Sequence, residues 1–295
     1  MNMKPSEIRG IAMGPEEYGY ADVVEGVKED LRIIKWLGFN CVKLWNVESM
    51  LLRGHLEQVL EVFDEEKMPF YTPIMIANTE GKTVWPEGDW PLGSEYKFRE
   101  VARKTVKTCA EHSTCIFHAL WIPWGGQRAL DDVYFNTVKR ILPDFREADP
   151  TRRLAVWGGA VPPAPYDWSD VSYYGLQPYS LKKNEIDEER IDEAVGACKG
   201  TKYYPPWLDE YGFRTFSTFR HGIHGLCDNE IKKAEAIEKF VEYMNTKHPD
   251  VGWVYFMWKD RYPLYAEGDW GLIEWNGILR ESGRAFKRAL RNFVD

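Results

Sequence analysis

Eight short apolar runs alternate with segments of helical periodicity along this chain, and few folds are compatible with such an alternation. Most of the runs are continuously apolar, which is typical of parallel strands that are buried on both faces. The runs are IRGIAMG (8–14), NCVKLWN (40–46), PFYTPIMIA (69–77), CIFHALWI (115–122), RLAVWGG (153–159), VSYYGLQPY (171–179), YYPPWLDEYG (203–212) and VGWVYFMW (251–258). Eight strand–helix units in series predict an α/β protein built as one (β/α)8 TIM barrel.

The segments between these runs carry apolar residues at helical spacing. The pattern is strongest over residues 229–248 and weakest after the fifth run, where only PAPYDWSD (163–170) is left for a helix. No linker or low-complexity segment interrupts the alternation. A single barrel domain is therefore expected over residues 1–295, a length that such barrels commonly have.

The composition argues against several classes of partner. The chain has 38 basic and 46 acidic residues and a formal net charge of −8, so it has no basic surplus for binding nucleic acid. No apolar run is long enough to span a membrane, and no membrane partner is expected. The N-terminal MNMKPSEIRG lacks the apolar core of a signal peptide, which predicts a cytoplasmic protein, with secretion after signal removal as the alternative. The pattern does not indicate an oligomeric state.

The ends of the predicted strands are where a barrel of this kind has its active site. Tryptophans are concentrated there, at positions 45, 121, 124, 157 and 258. The seventh and eighth strands are followed by DEYGFRTF and KDRYPLYAEGDWG, which offer carboxylates and aromatic rings where phosphate-binding barrels have a glycine-rich loop. This combination favours a neutral, hydroxylated ligand over a phosphate.

Several segments resemble the clan A glycoside hydrolases, the barrel clan of many cellulases, mannanases, β-galactosidases and β-glucuronidases. WLDEYG (207–212) is similar to their seventh-strand nucleophile motif, and EDLRIIKWLGFNCVKLWN (29–46) to their first helix and second strand. SDVSYYGLQPYS (169–180) resembles their sixth strand, and residues 268–290 resemble their closing segment. The resemblance covers nearly the whole chain and implies a glycosidase that acts on β-linked sugars.

The resemblance also implies roles for individual residues. Glu210 matches the nucleophile, and Lys43 lies where many of these enzymes have an arginine that keeps the nucleophile ionised. Tyr179 matches a tyrosine that hydrogen-bonds the nucleophile, and Trp258 matches the tryptophan on the floor of the sugar subsite. The substrate-binding residues expected at the strand ends are Lys43, Trp45, Asn46, Trp121, Trp124, Gln177, Tyr179, Trp258 and Asp260.

The fourth strand departs from the clan's pattern. Ile122 and Pro123 stand where the Asn-Glu pair that supplies the acid/base is expected, and neither side chain can transfer a proton. Candidates for a displaced group are Glu80, Glu48, Asp260 and Gln127. Glu80 is the predicted acid/base, because it follows the neighbouring third strand on a loop whose Trp85 and Trp90 would raise a carboxyl pKa.

Two other functions are compatible with the sequence. A barrel without the fourth-strand acid could bind carbohydrate without cleaving it. The segment HGIHGLC places His221, His224 and Cys227 at three-residue spacing, which could form a metal site. The five cysteines otherwise include no CxxC pair and suggest no disulfide framework, so neither a metal nor a cofactor is predicted.

Overall fold

The computed structural model describes residues 3–74, 94–121, 132–157, 170–215, 223–260 and 269–291; for residues 121 and 132–138 it describes the backbone alone. Eight parallel strands form a closed barrel in sequence order, and β1 closes it by pairing with both β2 and β8. The strands are β1 Arg9–Met13, β2 Cys41–Leu44, β3 Phe70–Ile74, β4 Cys115–Trp121, β5 Arg153–Trp157, β6 Val171–Leu176, β7 Trp207–Tyr211 and β8 Gly252–Tyr255. The predicted (β/α)8 barrel is confirmed.

The helices surround this barrel. They are α1 Val23–Leu37, α2 Val47–Arg53, α3 Leu56–Glu65, α4 Glu95–Ala110, α5 Asp132–Ala148, α6 Glu188–Cys198, α7 Glu230–Lys247 and α8 Glu281–Arg291. Single turns of 3-10 helix at Pro5–Glu7 and Pro15–Glu17 flank β1. The segment PAPYDWSD, predicted as a short fifth helix, lies almost entirely outside the described residues.

The strands are shorter than the apolar runs that predicted them. β7 begins at Trp207, after Pro205 and Pro206, and β6 ends two residues before Pro178. Proline has no N–H to donate to a neighbouring strand, so these prolines limit the hydrogen-bonded ladder. The hydrophobic runs therefore located the strands, and prolines limit the extent of β6 and β7.

Helix ends follow local sequence signals. The Asp22 carboxylate caps α1 by accepting from the backbone N–H groups of Val24 and Glu25, and Ser94 and Asn229 cap α4 and α7 in the same way. α1 ends at Gly38, whose φ of 102° lies in the left-handed region that favours glycine. These caps fix where each helix begins relative to the strand before it.

Aromatic side chains fill the interior of the barrel. The Tyr71 and Phe117 rings stack with centroids 4.6 Å apart, and the Trp207 ring packs edge-on 5.4 Å from Phe117. Trp207 is fully buried, and Tyr173 of β6 completes this layer. The layer is a packed floor, as in other (β/α)8 barrels, and the polar groups described below rest on it.

All five cysteines are buried as free thiols. In the part of the chain that the structure describes, no helix combines the length and the apolar character needed to cross a membrane.

Candidate active site

An extra residue in β7 brings two consecutive carboxylates into the barrel. Leu208 and Tyr211 are three residues apart in β7, yet their partners in β8 are only two residues apart. A bulge of this kind interrupts the alternation of side chains between the two faces of a strand. Asp209 and Glu210, which lie within the bulge, both contact the same cation, Lys43.

Lys43 of β2 is the centre of this cluster. Its Nζ donates to Glu210 Oε1 at 2.8 Å and also to a carboxylate oxygen of Asp209. The ammonium lies over the Trp157 ring, 3.5 Å from the centroid, and 4.5 Å from the Trp45 centroid. The side chain has no exposed surface, so the two carboxylates and the two ring faces replace the water that a buried ammonium loses.

Asp209 is held by two further donors. The Tyr71 hydroxyl donates to Asp209 Oδ1 at 2.6 Å, and the Trp207 indole N–H donates to the same oxygen at 3.2 Å. Lys43 occupies the other oxygen, so both oxygens of this fully buried carboxylate accept hydrogen bonds. The sequence analysis did not single out Asp209 or Tyr71, although both lie within apolar strand runs where a polar side chain is unusual.

Glu210 has fewer partners than its neighbour. Its Oε1 accepts from Lys43, and its Oε2 accepts from the Tyr179 hydroxyl at 3.0 Å. The residue is only 4% exposed, and this burial raises the pKa of Glu210 to about 7. Lys43 and Tyr179 favour the ionised form and lower the pKa, whereas the negative charge of Asp209 raises it further.

Aromatic rings adjoin the Lys43 cluster. Trp45, which follows β2, packs edge-on against Trp157 at 5.6 Å and against Phe256 at 5.9 Å between centroids. Trp270 continues the set, 5.6 Å from Phe256 and 5.4 Å from Tyr179. Phe256 and Trp270 were not predicted as site residues. Phe256 stands in the eighth apolar run and Trp270 in the closing segment, so only their place in the fold distinguishes them from core residues.

Gln177 follows β6 and carries a buried amide. It comes two residues after Gly175, where a built Cβ would meet side chains inside the barrel, so an extended backbone would direct both residues inward. The residue is 2% exposed, and the described part of the chain offers no hydrogen-bond partner to its amide oxygen or nitrogen. The indole N–H of Trp45 is likewise unpartnered among these residues.

Three of the predicted substrate-binding residues make contacts away from Glu210. Trp258 is fully buried on the side of the barrel that faces α1, where its indole approaches the Asp30 carboxyl. Asp260 accepts from the backbone N–H of Gly271 at 2.8 Å and pairs with Arg280, which precedes α8.

Asn46, the third of these residues, directs its amide toward the loop after β1. Its Nδ2 donates to Glu17 Oε1 at 2.7 Å. Asn46 has a φ of 57° and immediately precedes α2. The structure therefore brings together Lys43, Trp45, Tyr179 and Glu210, while these three side chains are engaged elsewhere.

The remaining predicted residues have no described side-chain environment or lie outside the described residues. Glu80, Trp124 and Gln127 lie outside them, as do Ile122 and Pro123, and only the backbone of Trp121 is described, at the end of β4. Glu48 is half-buried in the first turn of α2 and not on strand two.

The segment that was considered as an alternative metal site, residues 221–227, is described in part. His221 lies outside the described residues, whereas His224 lies within them and Cys227 is buried, with burial raising its thiol pKa to about 11. Within the described ranges, no group of three metal-ligating side chains is close enough together to hold an ion.

Comparison with known proteins shows the fold. No protein-family model and no curated protein matches this chain. Among solved structures, a GH5_18 protein from Streptomyces cattleya in complex with GlcNAc is 12% identical, with a TM-score of 0.73 over 97% of this chain and 80% of that one. A Bacteroides uniformis β-glucuronidase is 16% identical, with a TM-score of 0.71 over 99% of this chain and 36% of that one.

A GH2 β-galacturonidase from Eisenbergiella tayi bound to galacturonate is 11% identical, with a TM-score of 0.70 over 97% of this chain. The chain spans about half of that protein, 51% of its length. At these identities the likeness concerns the fold alone: the chain has a (β/α)8 barrel similar to the barrels of these proteins.

Proposed function

We propose that this protein is a glycosidase that hydrolyses β-linked glycosides or oligosaccharides with retention, and that Glu210 is its nucleophile. The observation that carries the proposal is the carboxylate of Glu210 at the end of β7, with one oxygen on Lys43 and the other on Tyr179. The glycoside hydrolase fold of the chain supports it. A carboxylate held in this way is oriented for attack on an anomeric carbon.

Glu210, Lys43 and Tyr179 each have a role in the two steps of such a reaction. In the first, a Glu210 oxygen forms a bond to the anomeric carbon while the bond to the leaving oxygen breaks, and an acid protonates that oxygen. In the second, water gives a proton to the same group and replaces Glu210. Lys43 and Tyr179 stabilise the carboxylate before attack and as it leaves. Since burial raises the pKa of Glu210 to about 7, kcat/KM should increase as the pH rises through neutrality.

The described site favours a neutral sugar over a uronic acid. Two of the three structural neighbours described above are named for uronic acids, but Lys43, the cation at the centre of the described cluster, is already paired with two carboxylates. Trp45 and Phe256, which are 9% and 8% exposed, offer aromatic surface that suits the apolar faces of sugar rings. The amide of Gln177, which has no hydrogen-bond partner among the described residues, can donate to and accept from sugar hydroxyls.

The nucleophile is tested with aryl β-glycosides of neutral sugars and of uronic acids. Glu210→Gln keeps the shape of the side chain and removes its charge, so turnover should fall by several orders of magnitude while sugar binding persists. Glu189→Gln, an exposed position in α6, is the matched control and should keep its turnover. A Glu210→Gln protein that retains most of its turnover contradicts the assignment.

We propose further that Glu80 supplies the proton in place of the absent fourth-strand acid. Glu80→Gln should then abolish cleavage of glycosides with poor leaving groups and spare those whose leaving group needs no proton. Added azide should restore breakdown of the glycosyl-enzyme. In a retaining enzyme the two carboxyl groups lie about 5–5.5 Å apart, and about 6.5–9.5 Å in an inverting one. A Glu80 carboxyl more than about 10 Å from Glu210 in a sugar complex would exclude the assignment.

A sugar-binding barrel without hydrolysis is the second candidate, favoured by Ile122 and Pro123 at the place of the acid/base. It predicts calorimetric binding of a β-linked oligosaccharide with no turnover of any aryl glycoside. The same substrate panel with a chelator tests the metal-dependent alternative, in which turnover is lost when the metal is removed.

A further inference from the structure

Two carboxylates share one cation in the barrel. Asp209 and Glu210 both accept from Lys43 Nζ, and all three side chains are almost completely buried. One positive charge cannot neutralise two negative charges, and water is largely excluded from this place. Burial and the second negative charge therefore favour a proton on one of the two carboxyl groups.

The hydrogen bonds decide which carboxyl that is. Asp209 accepts from three groups: Lys43, the Tyr71 hydroxyl and the Trp207 indole N–H. Among the described residues, Glu210 accepts from two, Lys43 and the Tyr179 hydroxyl. The negative charge is consequently better stabilised on Asp209, and the raised pKa of Glu210 agrees with this difference.

We propose that Asp209 is a positioning residue: because it shares the buried Lys43 ammonium with Glu210, this cation cannot fully compensate the charge of Glu210. Glu210 consequently retains a proton until the solution is close to neutral. The nucleophile is then generated by a rise in pH across neutrality. The consequence for turnover rests on the proposed function, whereas the protonation of Glu210 does not.

Titratable groups from several elements face Glu210 in the described part of the chain. The titratable ones are Lys43 from β2, Tyr179 from the segment after β6 and Asp209 from β7 itself. Tyr71 of β3 acts on Glu210 only through Asp209. Burial and Asp209 raise the pKa of Glu210, and Lys43 and Tyr179 lower it, so the direction of each substitution is defined.

The first test is the pH dependence of kcat/KM. Asp209→Asn keeps the side-chain shape and removes the charge, so the acidic limb of the profile should move down by about one pH unit or more. Tyr179→Phe removes a donor from Glu210 and should move the limb in the opposite direction. Asp144→Asn is the matched control. Asp144 is a buried aspartate of α5 that pairs with Arg99 and Arg103 of α4, outside the barrel, and loss of its charge should leave the limb unchanged.

The second test needs no turnover. Infrared difference spectra of wild-type protein minus Glu210→Gln, recorded across the pH range, follow the protonated carboxyl of Glu210 directly. This carboxyl should lose its proton near neutral pH in the wild type and at lower pH in Asp209→Asn. Asp209→Ser, which can still accept from Tyr71, serves if the asparagine variant does not fold.

A Glu210 carboxyl that titrates in the wild type near its ordinary value of 4.5 overturns the proposal, as does a midpoint that stays in place or rises when Asp209 is neutralised. A protein that shows the predicted infrared midpoints but cleaves no glycoside supports the role of Asp209 and rejects the proposed hydrolysis. The two failures are therefore distinguishable.

Discussion

Gln177 shows how a single residue can be costly for folding and useful for binding. Among the described residues its buried amide has no hydrogen-bond partner, and an amide that has lost its hydrogen bonds to water without replacing them costs about 1–3 kcal/mol. In a sugar complex the same amide can regain those bonds. A residue of this kind is expected where stability is sacrificed for ligand recognition.

Gln177→Met tests this exchange. Methionine has a similar length and no amide to desolvate, so the free energy of unfolding of the free protein should rise by up to about 1–3 kcal/mol. Affinity for a neutral sugar should fall about tenfold or more, since one lost hydrogen bond of about 1.4 kcal/mol is worth that factor. Chemical denaturation and calorimetric titration measure the two effects.

The exposed Gln58 of α3 provides the control, since Gln58→Met should change neither quantity. A Gln177→Met protein that is less stable than the wild type and binds sugar equally well would show that the amide has a structural role.

Trp258 poses the opposite question, because its side chain is fully buried beside α1. Trp258→Ala should therefore cost about 3–5 kcal/mol of unfolding free energy, the range for a large aromatic in a core. Thermal melting measures this cost, and sugar affinity of the folded fraction measures any subsite role. A small melting shift with a large loss of affinity would place Trp258 on the subsite floor, as the resemblance to clan A implies.

At the scale of the element, β7 and β6 are fitted to each other around the site. Gly175 of β6 has no room for a side chain: a Cβ built there would lie 2.7 Å from the Trp157 Cβ and 2.8 Å from the Asp209 Cβ. Real Cβ atoms essentially never approach other atoms so closely. Close packing of β6 against the bulged strand therefore depends on this glycine.

Gly175→Ala should destabilise the protein by about 1–3 kcal/mol through overpacking and should lower kcat/KM, because the clash pushes directly on Asp209. Gly196→Ala is the matched control, since no atom lies within 4 Å of its built Cβ and it sits inside α6. That change should stabilise the protein by about 0.5–1 kcal/mol. Melting curves and kcat/KM values of the two variants, measured in parallel, test this prediction. Equal stability and equal kcat/KM would show that β6 shifts to make room for the added methyl group without disturbing the site.

At the scale of the whole molecule, the site makes the stability of the fold depend on pH. The pKa of Glu210 is raised from its ordinary value of 4.5 to about 7 in the folded protein, mainly by burial. The folded state therefore binds a proton more tightly than the unfolded chain does. Glu210 contributes its full stability below about pH 4.5, and this contribution is lost as the pH rises through 7.

Glu210→Gln should cancel that dependence, because glutamine stays neutral at every pH. The unfolding free energy of the variant minus that of the wild type should grow by a few kcal/mol between about pH 4.5 and pH 8. Other titrating groups, such as Asp149 with its lowered pKa, are common to both proteins and cancel in the difference. Denaturant titrations across this range provide the test, and a difference that is constant with pH would mean that Glu210 is ionised throughout.

The sequence by itself determined the architecture. Eight apolar runs, most of them continuous, alternate with helical segments and leave a closed parallel barrel as the arrangement that buries both faces of the strands. The resemblance to clan A glycoside hydrolases, and not the strand pattern, implied that Lys43, Tyr179 and Glu210 belong together. The architecture itself needs only the order of the strands, which the pattern of apolar runs contains.

The tertiary structure decided the rest. Asp209 and Glu210 are consecutive residues of one strand. In a regular strand, consecutive side chains point to opposite faces, so one of the two would point out of the barrel. Whether both point inward depends on the register of β7 against β8, whose paired residues are about 45 positions further along the chain. Similarly, Phe256 and Trp258 are both aromatic residues of the eighth apolar run, yet of these two described residues only Phe256 has a ring contact with Trp45. Strand register and side-chain direction are set by contacts between segments that are distant in sequence, so the local sequence pattern does not predict them.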